Sequence, residues 1–150
     1  AVRHAFAGID EDGRSAIVHT RGNRDCHVIL RGGRGAPNHG AGDVEAALAL
    51  LRRHRLRERV MIDLSHDNSG KDPERQPAVA SDVASQIAGG ARAVVGIMLE
   101  SFLVPGRQDL RAGRELTYGQ SITDGCLGWE ATVEVLDQLA EAARSRRHLA

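Results

Sequence analysis

Runs of apolar residues alternate along this chain with stretches of helical period, and that alternation predicts most of its elements. HAFAGIDEDGRSAIVHT (residues 4–20) reads as two short strands around a turn at Asp12-Gly13. Four strand-like runs follow. CHVIL (26–30) is stopped by Arg31-Gly32-Gly33, VMIDL (60–64) by Ser65-His66, AVVGIML (93–99) by Glu100, and a weaker run, YGQSIT (118–123), by Asp124. Between them Val44, Ala47, Leu48 and Leu51 share one face of a helix starting near Asp43, a residue suited to an N-cap. Val79, Val83 and Ile87 stack at i, i+4 and i+8 ahead of Gly89-Gly90, a C-terminal stop. The last helix starts near Trp129. Its expected buried stripe is Trp129, Thr132, Val133, Leu136, Leu139, Ala140 and Ala143, with Arg144, Arg146 and Arg147 in the last turn, where the helix dipole favours cations.

Strand followed by helix, four times over, predicts α/β architecture with a parallel sheet and helical crossovers. Continuous apolar runs suit strands buried on both faces. Two forms satisfy this pattern: a doubly wound open sheet, or part of a (β/α) barrel. A full eight-stranded barrel takes about 250 residues, and 150 residues suffice for half of one, as a single partial domain. Residues 1–20 form the hairpin of that domain and residues 24–150 its βα units.

The polar residues fall at telling places. Arg31, His66, Glu100 and Asp124 each sit just past the C-terminal end of an expected strand, the edge where parallel α/β folds bind ligands. Taken singly, each has a plain reading as a solvated or capping side chain. Taken together, His66, Glu100 and Asp124 form an N/O donor set suited to a divalent manganese, iron, cobalt or zinc ion, with positions left for water or substrate.

Composition narrows the setting. The chain is 41% hydrophobic and 27% charged, an ordinary globular balance, and its 20 basic residues offset its 20 acidic ones. That neutrality gives no electrostatic reason to expect nucleic acid or an anionic membrane as partner. No apolar run approaches the ~20 residues that span a bilayer. Only two cysteines occur, Cys26 and Cys126, outside any redox or metal spacing, which suits a reducing cytoplasm. The opening AVRHAF has no signal-peptide core and no initiator methionine, so a processed, excised or partial product is expected.

Six ordered motifs go further: DCHVILRGG (25–33), PNH (37–39), MIDLSHDNSGK (61–71), QIAGG (86–90), GIMLESFLVPGRQ (96–108) and LTYGQSITDGCLGWE (116–130). In order and spacing they resemble class I DAHP synthases, over nearly the whole chain. The resemblance implies a (β/α)8 TIM barrel of which this chain holds the C-terminal half, strands five to eight. It implies a transferase of the shikimate pathway, supplying aromatic amino acid biosynthesis, that condenses phosphoenolpyruvate with erythrose 4-phosphate. His66, Glu100 and Asp124 match three of the family's metal ligands. The fourth is a cysteine in a GPCS-like loop that this chain lacks, and Cys126 reads as packing. Arg31 matches an arginine that binds phosphoenolpyruvate, and its planar fork suits phosphate or carboxylate. Gly32-Gly33 would let backbone amides approach an anion, and Lys71 matches a loop lysine at the rim.

The resemblance also implies catalytic roles for His66, as metal ligand, and Asp124, which would orient the sugar phosphate. KDO-8-phosphate synthase shares the barrel and chemistry, but ITDGCLGWE and SHDNSGK favour the DAHP enzyme. Two departures stand out. PNH replaces the more usual PNY. In the hairpin, which aligns with part of the inhibitor pocket of feedback-sensitive relatives, Gly8 stands where those relatives often carry serine. With four of eight strands and three metal ligands, the chain alone is expected to lack activity. It should self-associate or act with a complementing N-terminal half; otherwise it is a catalytically dead half-barrel.

Overall fold

The computed structural model describes residues 2–149. The N-terminal hairpin is present: β1 (Ala5–Ile9) pairs antiparallel with β2 (Ser15–His19), from Ala5 opposite His19 to Ile9 opposite Ser15. Asp10 builds the turn, its Oδ1 accepting from the amides of Asp12 (3.1 Å) and Arg14 (2.8 Å), while Gly13 supplies the positive φ of 79°. Phe6, Ile9 and Ile17 remain exposed, so the hairpin buries little.

The core is a three-stranded parallel sheet. β3 (Val28–Leu30), β4 (Val60–Asp63) and β5 (Val94–Met98) lie in that order, with Leu30 beside Ile62 and Ile62 beside Ile97. The crossovers are α1 (Ala41–Arg53) and, after a short α2 (His66–Ser69) and a 3-10 turn (Pro73–Arg75), α3 (Gln76–Ala88). Leu30, Val60, Ile62 and Val94 pack with Val44, Leu48, Leu51, Val79, Val83 and Ile87. Burying each such side chain contributes about 1.5–3 kcal/mol. Elsewhere the sheet's apolar side chains are open: Ile29, Val95 and Met98 are all exposed. Helix α1 starts earlier than expected. Gly40 occupies its N-cap, and Asp43 lies in the first turn, where its charge meets the helix dipole instead of capping an amide.

The expected fourth strand does not extend the sheet. It shrinks to β7 (Gln120–Ser121), which pairs in parallel with β6 (Val104–Arg107), an element the sequence pattern hid. Proline and glycine interrupt the β pattern of β6, and only an edge pairing tolerates them. Residues 118 and 119 form a turn: Tyr118 is 91% exposed, and Gly119 has a φ of 79°. A Cβ at Gly119 would meet Leu103 at 2.9 Å. Reciprocal backbone bonds between Gly106 and Cys126, with Leu127 bonded to both Glu100 and Phe102, fasten this pair to the end of β5.

In α4 (Trp129–Arg147) the buried stripe is rotated from the expected one. Thr132, Val135 and Ala142 are buried, with Ala131 and Leu139 packed beside them, whereas Trp129, Val133, Leu136 and Ala140 are exposed. The reason is the close packing of α4 on α3. Small side chains, Ala80 and Ala84 on α3 among them, let the helices approach, and Gln138 Nε2 donates to Ser81 Oγ at 3.1 Å. At the far end Arg146 donates to the carbonyls of Ala91 (2.9 Å) and Val94 (3.2 Å), a tie to the root of β5 beyond any dipole effect.

Candidate metal centre

β4 ends in a carboxylate, and the next turn of chain is built around it. Asp63 is 1% exposed. Its Oδ1 accepts from the Ser65 amide (2.8 Å) and the Ser65 hydroxyl (2.5 Å), and its Oδ2 lies 2.7 Å from His66 Nδ1. The Ser65 hydroxyl oxygen is 2.9 Å from the same ring nitrogen. His66 starts α2 with a φ of 50°, a left-handed conformation that costs energy for a residue other than glycine. With Nδ1 engaged, Nε2 faces Glu100, whose Oε1 is 3.9 Å away.

Glu100 follows β5, and its peptide is clamped from α3. The buried Gln76 accepts from the Glu100 amide through Oε1 (2.9 Å) and donates from Nε2 to the Glu100 carbonyl (3.1 Å). Asp124 comes from the loop after β7 and is exposed. Ser121 Oγ shapes that loop by accepting from the Thr123 amide at 3.1 Å. One donor atom each from His66, Glu100 and Asp124 lie within 4.8 Å of one another. They border a cavity of about 30 Å³, also lined by Ser65, Lys71 and Gln76, with room for one ion or water.

This donor set fits a divalent metal. Bonds of ~2 Å allow donors on opposite sides of an ion about 4 Å of separation. Closing 4.8 Å to that value needs less than about 1 Å, a shift that an exposed carboxylate such as Asp124 can make. Cys126 is close, its Sγ 3.9 Å from Glu100 Oε2, but it is not one of the three converging donors. Burial, with the Glu100 and Asp124 charges in support, pushes its thiol above the usual range against an opposing hydrogen bond from Ser121. Its Sγ lies 3.5 Å from the Asp124 carbonyl, a packing position. Cys26 is exposed in a separate cleft beside Val28 and Leu56.

The other expected residues divide. Lys71 shares the cavity with the three donors, closer than a rim role implies, at a φ of 61° and with its amide bonded to the His66 carbonyl (2.6 Å). Arg31 is exposed at the end of β3 and does not line this cavity; among the described residues its side chain makes no hydrogen bond or ion pair. The anion cradle expected of Gly32-Gly33 is not open. The Gly32 amide donates to Asn38 Oδ1 (2.7 Å) and the Gly33 amide to the Ala36 carbonyl (3.0 Å). Gly32 is required by space instead, because a Cβ there would lie 2.5 Å from Asp67 Cβ.

Sequence reasoning missed the residues that hold the site. Asp63 and Gln76 fix two donors, and Asn68 joins the loops, donating to the carbonyls of Leu30 (3.0 Å) and Asp63 (2.7 Å) and accepting from the Asn38 amide (2.7 Å). The available signal was a charged residue inside the apolar run VMIDL. In PNH, the His39 carbonyl accepts from Gln86 Nε2 (2.9 Å), but His39 Nδ1 is buried without a partner among the described residues.

Comparison with known proteins places this arrangement in context. A profile of the DAHP synthetase I family matches residues 1–137. A phospho-2-dehydro-3-deoxyheptonate aldolase from Haemophilus influenzae is 49% identical over 144 residues, covering 96% of this chain and 40% of the relative. A Phe-sensitive enzyme of the same name from Escherichia coli K12 is 50% identical over 144 residues, covering 96% of this chain and 41% of the relative. Among solved structures, the phospho-2-dehydro-3-deoxyheptonate aldolase from Francisella tularensis superposes with a TM-score of 0.89 at 43% identity, covering 97% of this chain and 42% of that one. The chain therefore spans about two fifths of the length of the relatives it matches, corresponding to their C-terminal part.

Proposed function

Because this chain belongs to the DAHP synthetase I family, we propose that it supplies the metal-binding part of a DAHP synthase active site, for condensation of phosphoenolpyruvate with erythrose 4-phosphate. The observation that carries this reading is the convergence of His66, Glu100 and Asp124 within 4.8 Å beside Lys71. His66 would hold the ion through Nε2, and Glu100 and Asp124 through carboxylate oxygens. A divalent ion held there would supply Lewis acidity toward the erythrose 4-phosphate aldehyde, the group that carbon 3 of phosphoenolpyruvate joins. Manganese, iron, cobalt and zinc all suit the donors. Lys71 lines the same cavity, and its positive charge would serve an anionic substrate there. Arg31, unpaired at the end of β3, offers its fork to phosphoenolpyruvate from the Arg31-Gly32-Gly33 loop. Asp124, on the more adjustable loop, orients the sugar phosphate.

The fold in this reading is the second half of a (β/α)8 barrel, as one partial domain with its hairpin. The exposed Ile29, Val95 and Met98 support it, since a three-stranded sheet with open apolar side chains calls for further strands. Completion comes from a segment bearing strands one to four or from a second copy of this chain. The free cysteines suit a cytoplasmic setting, and among the described residues no helix is long and apolar enough to cross a membrane.

The test is to purify the chain alone and co-expressed with the N-terminal part of the Haemophilus influenzae relative, then follow phosphoenolpyruvate consumption with manganese. Turnover is expected only from the co-expressed pair, and should vanish in its Glu100→Ala variant. A stable pair that binds manganese yet consumes no phosphoenolpyruvate would refute the assignment.

A further inference from the structure

We infer that Asp63 is the positioning residue of this site: it acts through His66, fixing the imidazole as its Nδ1–H tautomer so that the Nε2 lone pair faces Glu100 and Asp124. The inference rests on the metal-binding reading for its consequence, but not for its geometry. Both neighbours of His66 Nδ1 are acceptors. Asp63 Oδ2 lies 2.7 Å from it, and a carboxylate only accepts. Ser65 Oγ lies 2.9 Å from it, but the one hydroxyl proton of Ser65 is committed to Asp63 Oδ1 at 2.5 Å. The serine oxygen therefore meets the ring with a lone pair. The ring proton belongs on Nδ1, and Nε2 is left bare toward Glu100 Oε1 at 3.9 Å.

Burial shows that this carboxylate is not a casual surface group. Asp63 is 1% exposed and Ser65 4%, and no lysine or arginine pairs with Asp63 among the described residues. An apolar side chain would have continued the run VMIDL; among the described residues the carboxylate's hydrogen-bond partners are the Ser65 amide, the Ser65 hydroxyl and the imidazole. A purely structural Asp63 would serve the β4–α2 turn through the Ser65 amide alone and would leave the tautomer indifferent to it.

The experiment uses the full chain labelled with 15N-histidine, metal-free and at a pH well above the ordinary histidine range. Expected for the wild type is a proton on His66 Nδ1 and none on Nε2. In Asp63→Asn the carboxamide N–H donates to Nδ1, so the proton should move to Nε2 and manganese affinity should fall by about 10- to 100-fold. Ser65→Ala should keep the tautomer and lose less affinity. A wild-type chain protonated on Nε2, or an Asp63→Asn variant with unchanged tautomer and manganese affinity, overturns the proposal. Should Asp63→Asn fail to fold, the wild-type tautomer and the Ser65→Ala variant decide it. If manganese binds neither protein while the tautomer switches as described, the metal reading fails and the positioning role of Asp63 stands.

Discussion

The ends of β4 and β5 and the loop after β7 contribute donors to the same cavity by different means. His66 and Glu100 are held from within: a buried carboxylate grips the imidazole, and a buried carboxamide grips both polar groups of the Glu100 peptide. Beneath them lies the apolar core of β3, β4, β5, α1 and α3. Asp124 rides on a pair of short strands with little apolar cover. That pair depends on glutamines: Gln108 bonds the Thr117 amide and the Thr117 and Gln120 carbonyls, and Gln120 reaches the Pro105 carbonyl. Core packing is close to rigid, whereas exposed hydrogen bonds open at low cost. Two donors are thus preorganised, and the third is free to adjust to what binds.

The sharpest break of this contrast is in the core. Ile62→Ala should cost about 2–5 kcal/mol in urea unfolding, because Ile62 is wholly buried at the centre of the sheet. A loss under about 1 kcal/mol would deny the sheet its role as rigid base. Gln76→Leu comes next. It strips the partner from the Glu100 amide, at about 1–3 kcal/mol for a group left unsatisfied, while the Glu100 carbonyl keeps the Leu127 amide, and manganese affinity measured by calorimetry should fall with stability. Gln108→Ala should separate the two properties: melting shifts by about 1 kcal/mol or less, since its bonds lie near solvent, while hydrogen exchange across 108–124 accelerates. Protection in that segment as strong as in β4 would erase the contrast.

Two smaller changes sharpen it. His39→Phe removes the buried Nδ1 that lacks a partner, so it should be neutral or stabilising by about 1 kcal/mol in thermal melts. Ile17→Ala, in the exposed hairpin, should stay within about 0.5 kcal/mol of the wild type.

Legibility in the sequence followed burial. β4 and the Val44-Leu48-Leu51 and Val79-Val83-Ile87 faces were readable because both the apolar run and the helical period record a buried surface. β6 was not readable, since Pro105 and Gly106 erase the β pattern where backbone bonds alone make the strand. The α4 stripe was misplaced for a related reason. Hydropathy favoured Trp129 and Leu136, but close approach to α3 selects small residues, and size matching is a property of two surfaces together.

By itself, then, the sequence determined the α/β alternation, the three apolar runs of the parallel sheet and the candidate donors His66, Glu100 and Asp124. Each of these follows from local period or from motif, which a single stretch of chain carries. Only the tertiary structure decided that Asp63 faces the His66 ring, that Gln76 spans 24 positions to hold Glu100, and that the Gly32 and Gly33 amides are already committed. A hydrogen bond is set by distance and angle to one particular partner. No property of Gln76 alone names Glu100 as that partner, and only the packing of α3 against the end of β5 does so.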